Sequence, residues 1–448
     1  MQDKKEHFKV FMKTNKEKVR DWGSIHQQTA SIFKYSVLLL LSALIFALIF
    51  AFFNLYHADA ESARYMLSTL VQSQAAIVAI VVSLTLIAVQ LTASAYSPRV
   101  IRIFRDNFDM WLLLGLYGGS IFYGLLVLKM IRGEDLSQIL LFSIHLETHI
   151  SYALFLGFFS IVMLFQYMLN IINLLNPANI IKRLATEITK DKILNSQEDP
   201  FQPIMDIVHC SIMKYDLETT RVGLKAVTDH VIKIIDSDGE EKISGHFCKH
   251  LDRVGKLAVS KMDIESTEEV IENLEVFGKS TAEKRLQGAT GQTAEFLYTV
   301  GVTAAEKGLA GAAGRAVESL EAVGVAAAEK RLENATPHVA LYLGHFGKST
   351  AEKGYNYTTK QTVWSLGAVG KVATEKGLEN ATKQVALSLG DIGTAAVKKG
   401  LKDVTNQAAL YLAELTILSE EIVKEVIQNF ESNLKEQDRD AFQKFKKI

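Results

Sequence analysis

The first part of the chain contains four long apolar stretches. They run over about residues 36–56, 70–95, 110–130 and 149–175. About 20 apolar residues are enough for a helix to cross the roughly 30 Å of hydrocarbon in a bilayer. Because a backbone in lipid has to satisfy its own hydrogen bonds, these stretches are predicted to be transmembrane helices.

The second part of the chain repeats itself every 23 residues. A glycine column consists of Gly278, Gly301, Gly324, Gly347, Gly370 and Gly393, and a leucine column consists of Leu297, Leu320, Leu343, Leu366, Leu389 and Leu412. Each column glycine precedes a string similar to A-A-E-K-G-L and then one similar to A-T-x-x-A-x-x-S-L. Two glycines in each unit weaken one continuous helix by about 1 kcal/mol each. We therefore expect a short helix and a longer one, so that each repeat is a helix pair.

Such helix pairs bury their apolar faces only by stacking on one another. The predicted fold class is all-α, with a four-helix transmembrane bundle followed by a cytoplasmic α-solenoid of 23-residue helix-pair repeats. A long amphipathic rod is the alternative for the repeats. The predicted segments are an amphipathic cytoplasmic N-terminal segment over 1–34, a transmembrane domain over 35–180, a helical connector with a divergent repeat over 181–254, the repeat domain over 255–415 and a charged C-terminal helix over 416–448.

The distribution of Lys and Arg predicts the orientation. These residues concentrate before the first stretch, after the second and after the fourth, whereas the two remaining loops are poor in them. Because positively charged loops stay inside the cell, a multi-pass protein of the cell membrane with both termini cytoplasmic is expected. The net charge of −1 gives no argument for nucleic acid as a partner. Only two cysteines occur, Cys210 and Cys248, which indicates a reducing compartment.

One face of the second stretch carries small and polar residues. Steps of three and four residues define this face, the polar stripe, as Gln72, Ala76, Ala79, Ser83, Ile87, Gln90, Ser94 and Ser97. Such a face does not favour lipid, so it either lines a pore or substrate path or packs closely against other helices. The amide of Gln90 needs a dedicated partner within the span. In the third stretch Gly115 and Gly119 form a Gly-x-x-x-Gly pair, which favours close helix packing.

A basic cluster follows the second stretch. Pro98 is expected to end or bend the helix. Arg99, Arg102 and Arg105 then lie three residues apart at the predicted inner surface. The cluster either binds anionic headgroups and fixes the topology, or forms a cationic pore mouth.

The same region resembles a known family. In the string VSLTLIAVQLTASAYSPRVIRIFRDNFDMWLLLGLYGG, the positions that carry the resemblance are Ser83, Gln90, Leu91, Ser94, Tyr96, Ser97, Pro98 and Arg99. A Ser-containing apolar span that runs into Gln-Leu, small residues, an aromatic residue and Ser-Pro-Arg is similar to a family of uncharacterised prokaryotic membrane proteins. The resemblance implies a membrane location and supplies no reaction. It does not extend to the repeats.

Histidines near carboxylates or thiols are candidates for metal ligands. In His246-x-Cys248-x-His250, the alternation by two does not place all three side chains on one helix face. Before the fourth stretch lie His145, Glu147 and His149, for which interfacial hydrogen bonding competes with metal binding or pH sensing. No Walker loop, dinucleotide fingerprint, nucleophile elbow or metalloprotease motif occurs. The sequence therefore predicts no enzymatic activity, no catalytic residue, no cofactor and no metal site.

Two functions fit these observations. The first is a homo-oligomeric ion channel or channel-like protein, in which the second stretch lines the path and the solenoid forms a cytoplasmic sensor or vestibule. Oligomers follow because four spans are too few to enclose a pore alone. The second is a membrane-anchored scaffold whose solenoid recruits a cytoplasmic protein partner. The expected partners are the lipid bilayer, further copies of the chain and this cytoplasmic protein, with no nucleic acid.

Overall fold

A computed structural model of the chain describes residues 37, 39–46, 48, 60–101, 108–132, 146–195 and 199–418. These residues are helical apart from the connecting turns, and none of them forms a strand. The chain divides into two compact units, Met1–Asn176 and Pro177–Ile448. The predicted N-terminal segment over 1–34 lies outside the described residues, as does most of the predicted C-terminal helix over 416–448.

The first unit contains three long apolar helices among its described residues. They are α1 (Ala60–Ala95), α2 (Phe108–Arg132) and α3 (Leu146–Leu175). The segments Glu61–Ala95, Phe108–Ile131 and Thr148–Leu175 are long and apolar enough to cross a membrane. They correspond to the second, third and fourth predicted spans. The first predicted span falls largely outside the described residues, although residues 37, 39–46 and 48 are helical.

Helix α1 begins about ten residues before its predicted start. Its 36 residues extend over roughly 54 Å, more than the hydrocarbon thickness of a bilayer. The sequence AESAR at its beginning lies between the first predicted span, over 36–56, and the second, over 70–95, where a loop is predicted. Ala, Glu and Arg favour helix, and Glu61 lies in the first turn, where a negative charge complements the helix dipole. Ala63 and Leu67 are buried there, so packing extends the helix beyond the apolar run.

Two buried clusters hold α1, α2 and α3 together. One comprises Leu113, Tyr117, Phe159, Met163 and Tyr167, with partly buried residues of α1 packed against it. The other comprises Ala63, Leu67, Val127, Ile150 and Ala153. Both clusters join residues from more than one helix, so the three helices form a single packed group.

The second unit is a succession of helices joined by short turns. They are α4 (Pro177–Thr186), α5 (Lys190–Asn195), α6 (Gln202–Met213), α7 (Leu217–Ile234), α8 (Glu240–Ser260), α9 (Ile264–Glu283), α10 (Gln287–Glu306), α11 (Ala310–Glu329), α12 (Ala335–Glu352), α13 (Asn356–Glu375), α14 (Glu379–Lys399) and α15 (Lys402–Leu418). From α9 onward, each helix corresponds to one 23-residue repeat.

The predicted helix pair within each repeat is wrong. The string A-A-E ends a helix of about 20 residues, and K-G-L forms the turn to the next helix. At the end of α10, the N–H of Gly308 donates to the carbonyl of Ala305 (3.1 Å) and the N–H of Leu309 donates to that of Ala304 (2.9 Å). These two bonds define a Schellman motif, which requires a left-handed residue, and Gly308 has φ +78°. The second glycine of the repeat is therefore a helix terminator.

The first glycine of each repeat lies inside a helix because a neighbouring helix approaches closely there. A Cβ at Gly324 of α11 would lie 2.8 Å from the side chain of Val369 on α13. Each helix from α8 to α13 contacts both the next helix and the next but one. The glycine therefore allows close contact between alternate helices, which compensates for its low helix propensity.

The leucine column forms part of the core, as an apolar column at a fixed position of the repeat predicts. All six of its side chains are fully buried. The Glu and Lys residues of the A-A-E-K-G-L strings lie at the surface, where Lys353 and Glu306 form an ion pair at 2.9 Å. Both side chains are exposed, so this pair contributes little to stability. Core packing, rather than surface charge, holds the repeats together.

Candidate functional site

Helix α1 presents two different faces. The buried face consists of Ala63, Leu67, Val71, Gln74, Thr85, Ala88 and Thr92. At 100° per residue, these positions lie on the side of the helix opposite the polar stripe. The described spans α2 and α3 therefore contact α1 on the face opposite the polar stripe.

The buried face of α1 is joined to its neighbours by polar contacts. Gln74 is 1% exposed, and its Nε2 donates to Oγ of Ser120 on α2 at 2.9 Å. The hydroxyls of Thr85 and Tyr167 lie 2.8 Å apart and link α1 to α3. These bonds satisfy polar groups that would otherwise be costly in an apolar interior. The partnered amide of this helix is that of Gln74, not that of Gln90.

The polar stripe lies on the open face of α1. Seven of its eight residues are exposed in the described structure: Gln72, Ala76, Ala79, Ser83, Ile87, Gln90 and Ser94. The eighth, Ser97, is 7% exposed and caps the short turn Pro98–Val100, where its Oγ accepts from the backbone N–H of Arg99 at 3.3 Å. The structure therefore brings seven residues of the stripe together and assigns Ser97 to a local turn.

The hydroxyls and the amides of the stripe differ in their hydrogen bonding. Oγ of Ser83 donates to the carbonyl of Ala79 at 2.8 Å, so this hydroxyl is satisfied by its own helix. Gln72 and Gln90 have no hydrogen-bond partner within the described part of the chain. They are 18 residues apart, which corresponds to five helical turns and roughly 27 Å on the same face. The two amides are thus exposed polar groups of the stripe that neither α2 nor α3 contacts through a hydrogen bond among the described residues.

Large aliphatic side chains flank the stripe. Ile80, Leu84 and Leu91 lie on one side and Leu86 lies on the other, each more than half exposed. The stripe covers roughly 80° of the helix circumference at 100° per residue. Helix α1 therefore presents a narrow polar strip between two apolar margins.

Helix α2 has an open face as well. Gly115 and Gly119 are exposed, and a Cβ at either would meet nothing within 4 Å. Their predicted role in close packing is thus not fulfilled among the described helices. The close approaches instead occur at Gly124, against Val71, and at Gly157, against Leu70.

Side chains toward the ends of α2 and α3 pair with each other. The amide of Asn170 donates to the carboxylate of Asp109, near the beginning of α2. Near the other end, the hydroxyl of Tyr123 and Nδ1 of His149 lie 2.8 Å apart. This contact agrees with interfacial hydrogen bonding for His149, whereas His145 lies outside the described residues. Of the basic cluster, Arg99 is exposed and is described, while Arg102 and Arg105 are not.

Comparison with known proteins gives one match, to a family model over part of the chain. No curated protein and no solved structure matches the chain. A family model covers residues 29–220, which include all three described candidate spans and the polar stripe. The match confirms the resemblance to uncharacterised membrane proteins and ends before the 23-residue repeats. Residues 29–220 of this chain therefore match the family described as Predicted membrane protein (DUF2254).

Proposed function

We propose that this membrane protein is a homo-oligomeric, channel-like protein in which the polar stripe of α1 lines a path between subunits. One observation carries the proposal: the stripe lies on the face of α1 that α2 and α3 leave open. An unsatisfied amide in hydrocarbon costs several kcal/mol. Facing water in a path removes that cost for Gln72 and Gln90 together.

Several copies of the chain are required for such a path. One strip of roughly 80° on a single helix cannot surround water. In a ring of subunits, the polar centre of α1 faces the axis and its apolar margins contact neighbouring helices or lipid. The open glycines of α2, Gly115 and Gly119, offer a surface on which a second helix can approach closely.

The repeat helices form the cytoplasmic part of the proposed assembly. Contacts between each helix and the next but one are typical of a solenoid, in which every unit depends on its neighbours. With both termini inside the cell, the repeat domain would act as a sensor or vestibule. The proposed role is not enzymatic, in line with the lack of catalytic motifs.

Ion flux into liposomes tests the proposal. The full-length protein is reconstituted, and K⁺, Na⁺ and Cl⁻ gradients are applied. Ala79→Trp places a large side chain in the stripe, and Leu84→Trp on the apolar margin is the matched control. We expect flux with the wild type and the control and at least a fivefold loss with Ala79→Trp. A monomeric protein without flux under any gradient would contradict the proposal.

A scaffold function is the second candidate. Tyr357 is 77% exposed and Trp364 is 47% exposed, both on α13. Lys360 lies 5.2 Å from the centre of the Trp364 ring. Exposed aromatic side chains are typical anchors of protein interfaces. A partner that binds the full-length protein and loses at least tenfold affinity on Trp364→Ala, while liposome flux stays absent, would favour the scaffold.

A further inference from the structure

Three potential metal ligands converge near the beginning of the second unit. His246 and His250 are one turn apart on α8, so their side chains share a face. Asp199 lies in the turn before α6 and approaches this face. One ligand atom from each of the three residues lies within 4.8 Å of the other two.

The three side chains differ in their hydrogen bonding. Nε2 of His250 and Oδ2 of Asp199 are 2.7 Å apart, and Oδ1 of Asp199 accepts from the backbone N–H of Phe201 at 3.0 Å. Nδ1 of His246 is buried and has no hydrogen-bond partner among the described residues. A buried nitrogen beside an Asp–His pair is an available ligand position, because burying a polar atom without a partner is costly.

The carboxylate is ionised, as metal binding requires. Burial acts to raise the pKa of Asp199. The hydrogen bond from His250, electrostatic attraction to His250, the Phe201 N–H and attraction to His246 outweigh burial, so the pKa lies below its ordinary value. Asp199 therefore carries a negative charge at neutral pH.

The thiol between the two histidines does not take part. Cys248 is two residues from each histidine, which places it on the other side of α8, and it is fully buried there. Burial raises the pKa of Cys248 to about 12, so it remains a neutral thiol. The alternation by two in His246-x-Cys248-x-His250 thus separates the cysteine and leaves the two histidines together.

We propose that Asp199, His246 and His250 bind one divalent transition-metal ion such as Zn²⁺. Two imidazoles and one carboxylate are a common ligand set for such ions, with a further position left for water. Tetrahedral ligands about 2.1 Å from Zn²⁺ are roughly 3.4 Å apart, so small side-chain rotations close the site. For Nε2 of His250 to bind the ion, the neutral imidazole carries its single proton on Nδ1, so Nε2 of His250 and Oδ2 of Asp199 exchange their contact with each other for contacts with the metal.

Aromatic packing limits the freedom of the ligands. The ring of Phe201 lies 5.8 Å from that of His250 and 6.3 Å from that of Phe247. Phe201 and Phe247 are both fully buried. The backbone next to Asp199 is thereby fixed against α8, and a bound ion would connect the turn before α6 to α8.

Metal titration of the full-length protein in detergent tests this site. We expect isothermal titration calorimetry to give one Zn²⁺ per chain with micromolar or tighter affinity. Co²⁺ should show visible absorption bands of a four-coordinate site. His246→Ala should raise Kd for Zn²⁺ at least tenfold and abolish the bands. Among the described residues Nδ1 of His246 has no hydrogen-bond partner to lose, and unchanged circular dichroism would verify the fold of this variant.

Two further variants sharpen the test. His209→Ala removes an exposed histidine of α6 and should leave the affinity unchanged. Asp199→Asn keeps an acceptor for His250 but removes the charge, and should also raise Kd at least tenfold. Absence of one-to-one binding by the wild type, or equal affinity of wild type and His246→Ala, would overturn the proposal and leave a structural Asp–His pair.

Discussion

At the scale of single residues, the turns between repeats depend on one left-handed position. Gly308, Gly354, Gly377 and Gly400 have positive φ, and Arg285 and Arg331 occupy the same position in two copies. A side chain in this conformation costs roughly 1–2 kcal/mol, so the arginines are the less favourable choice. Replacing a glycine at this position should therefore lower stability, and introducing a glycine there should raise it.

Gly354→Ala and Arg331→Gly form that pair. Gly354 has φ +80°, so we expect alanine there to lower stability by about 1 kcal/mol. Arg331 has φ +56°, and glycine should raise stability by up to about 1 kcal/mol, because relief of strain exceeds the added entropy of the unfolded chain. Thermal unfolding of the full-length variants in detergent measures both. A gain with Gly354→Ala would contradict the turn.

The two cysteines are expected to differ in reactivity. Cys210 is half-buried, whereas Cys248 is buried and burial raises its pKa to about 12. At pH 8 that pKa leaves on the order of one Cys248 thiol in 10⁴ ionised, and the thiolate is the reactive form. Labelling of the folded protein with iodoacetamide, followed by peptide mass spectrometry, should modify Cys210 first and Cys248 only after unfolding. Equal labelling of both in the folded protein would disprove this environment for Cys248.

At the scale of helices, substituting the first glycine of a repeat distinguishes two descriptions of the repeat domain: helices that behave as isolated helices, and alternate helices in close contact. In an isolated helix, alanine in place of glycine adds about 1 kcal/mol of stability. In α11, a Cβ at Gly324 would lie 2.8 Å from Val369 and 3.0 Å from Val339. We expect Gly324→Ala to destabilise the protein by roughly 1–3 kcal/mol because the core is overpacked.

Gly311→Ala is the control on the same helix. Gly311 is exposed in the first turn of α11, and a Cβ there would meet only the end of the Glu268 side chain, at 3.4 Å. This substitution should be neutral or stabilising by up to about 1 kcal/mol. Thermal unfolding by circular dichroism compares the two variants. Stabilisation by Gly324→Ala would rule out close contact between alternate helices.

The sequence predicted helices better than it predicted contacts. Apolar length gave α1, α2 and α3 their approximate bounds, but the packing of Ala63 and Leu67 lengthened α1 in a way hydropathy does not register. Periodicity identified the polar stripe as one face. It could not decide which face the neighbouring helices contact, because Gln74, Thr85 and Thr92 follow the same steps on the opposite side. The sequence alone assigned the string K-G-L to a helix, whereas the Schellman hydrogen bonds show that it forms the turn that ends one.

At the scale of the molecule, two units of different composition share one chain. Residues 29–220 match a membrane protein family, and the repeats follow outside that match. The 23-residue period could be recognised in the sequence because each repeat contributes one helix to a continuous core. The convergence of Asp199 with His246 and His250 could not be predicted from the sequence, since it joins residues about 50 positions apart.

Water access to the polar stripe is the most direct test of the central claim. Ser83→Cys in the stripe and Leu84→Cys on the apolar margin are compared in liposomes, in a Cys210→Ser background where the buried Cys248 stays unreactive. A charged methanethiosulfonate reagent that does not cross membranes reacts only with thiols in contact with water. The account predicts at least tenfold faster modification of Ser83→Cys than of Leu84→Cys. Failure of both cysteines to react, or equal rates, would contradict it.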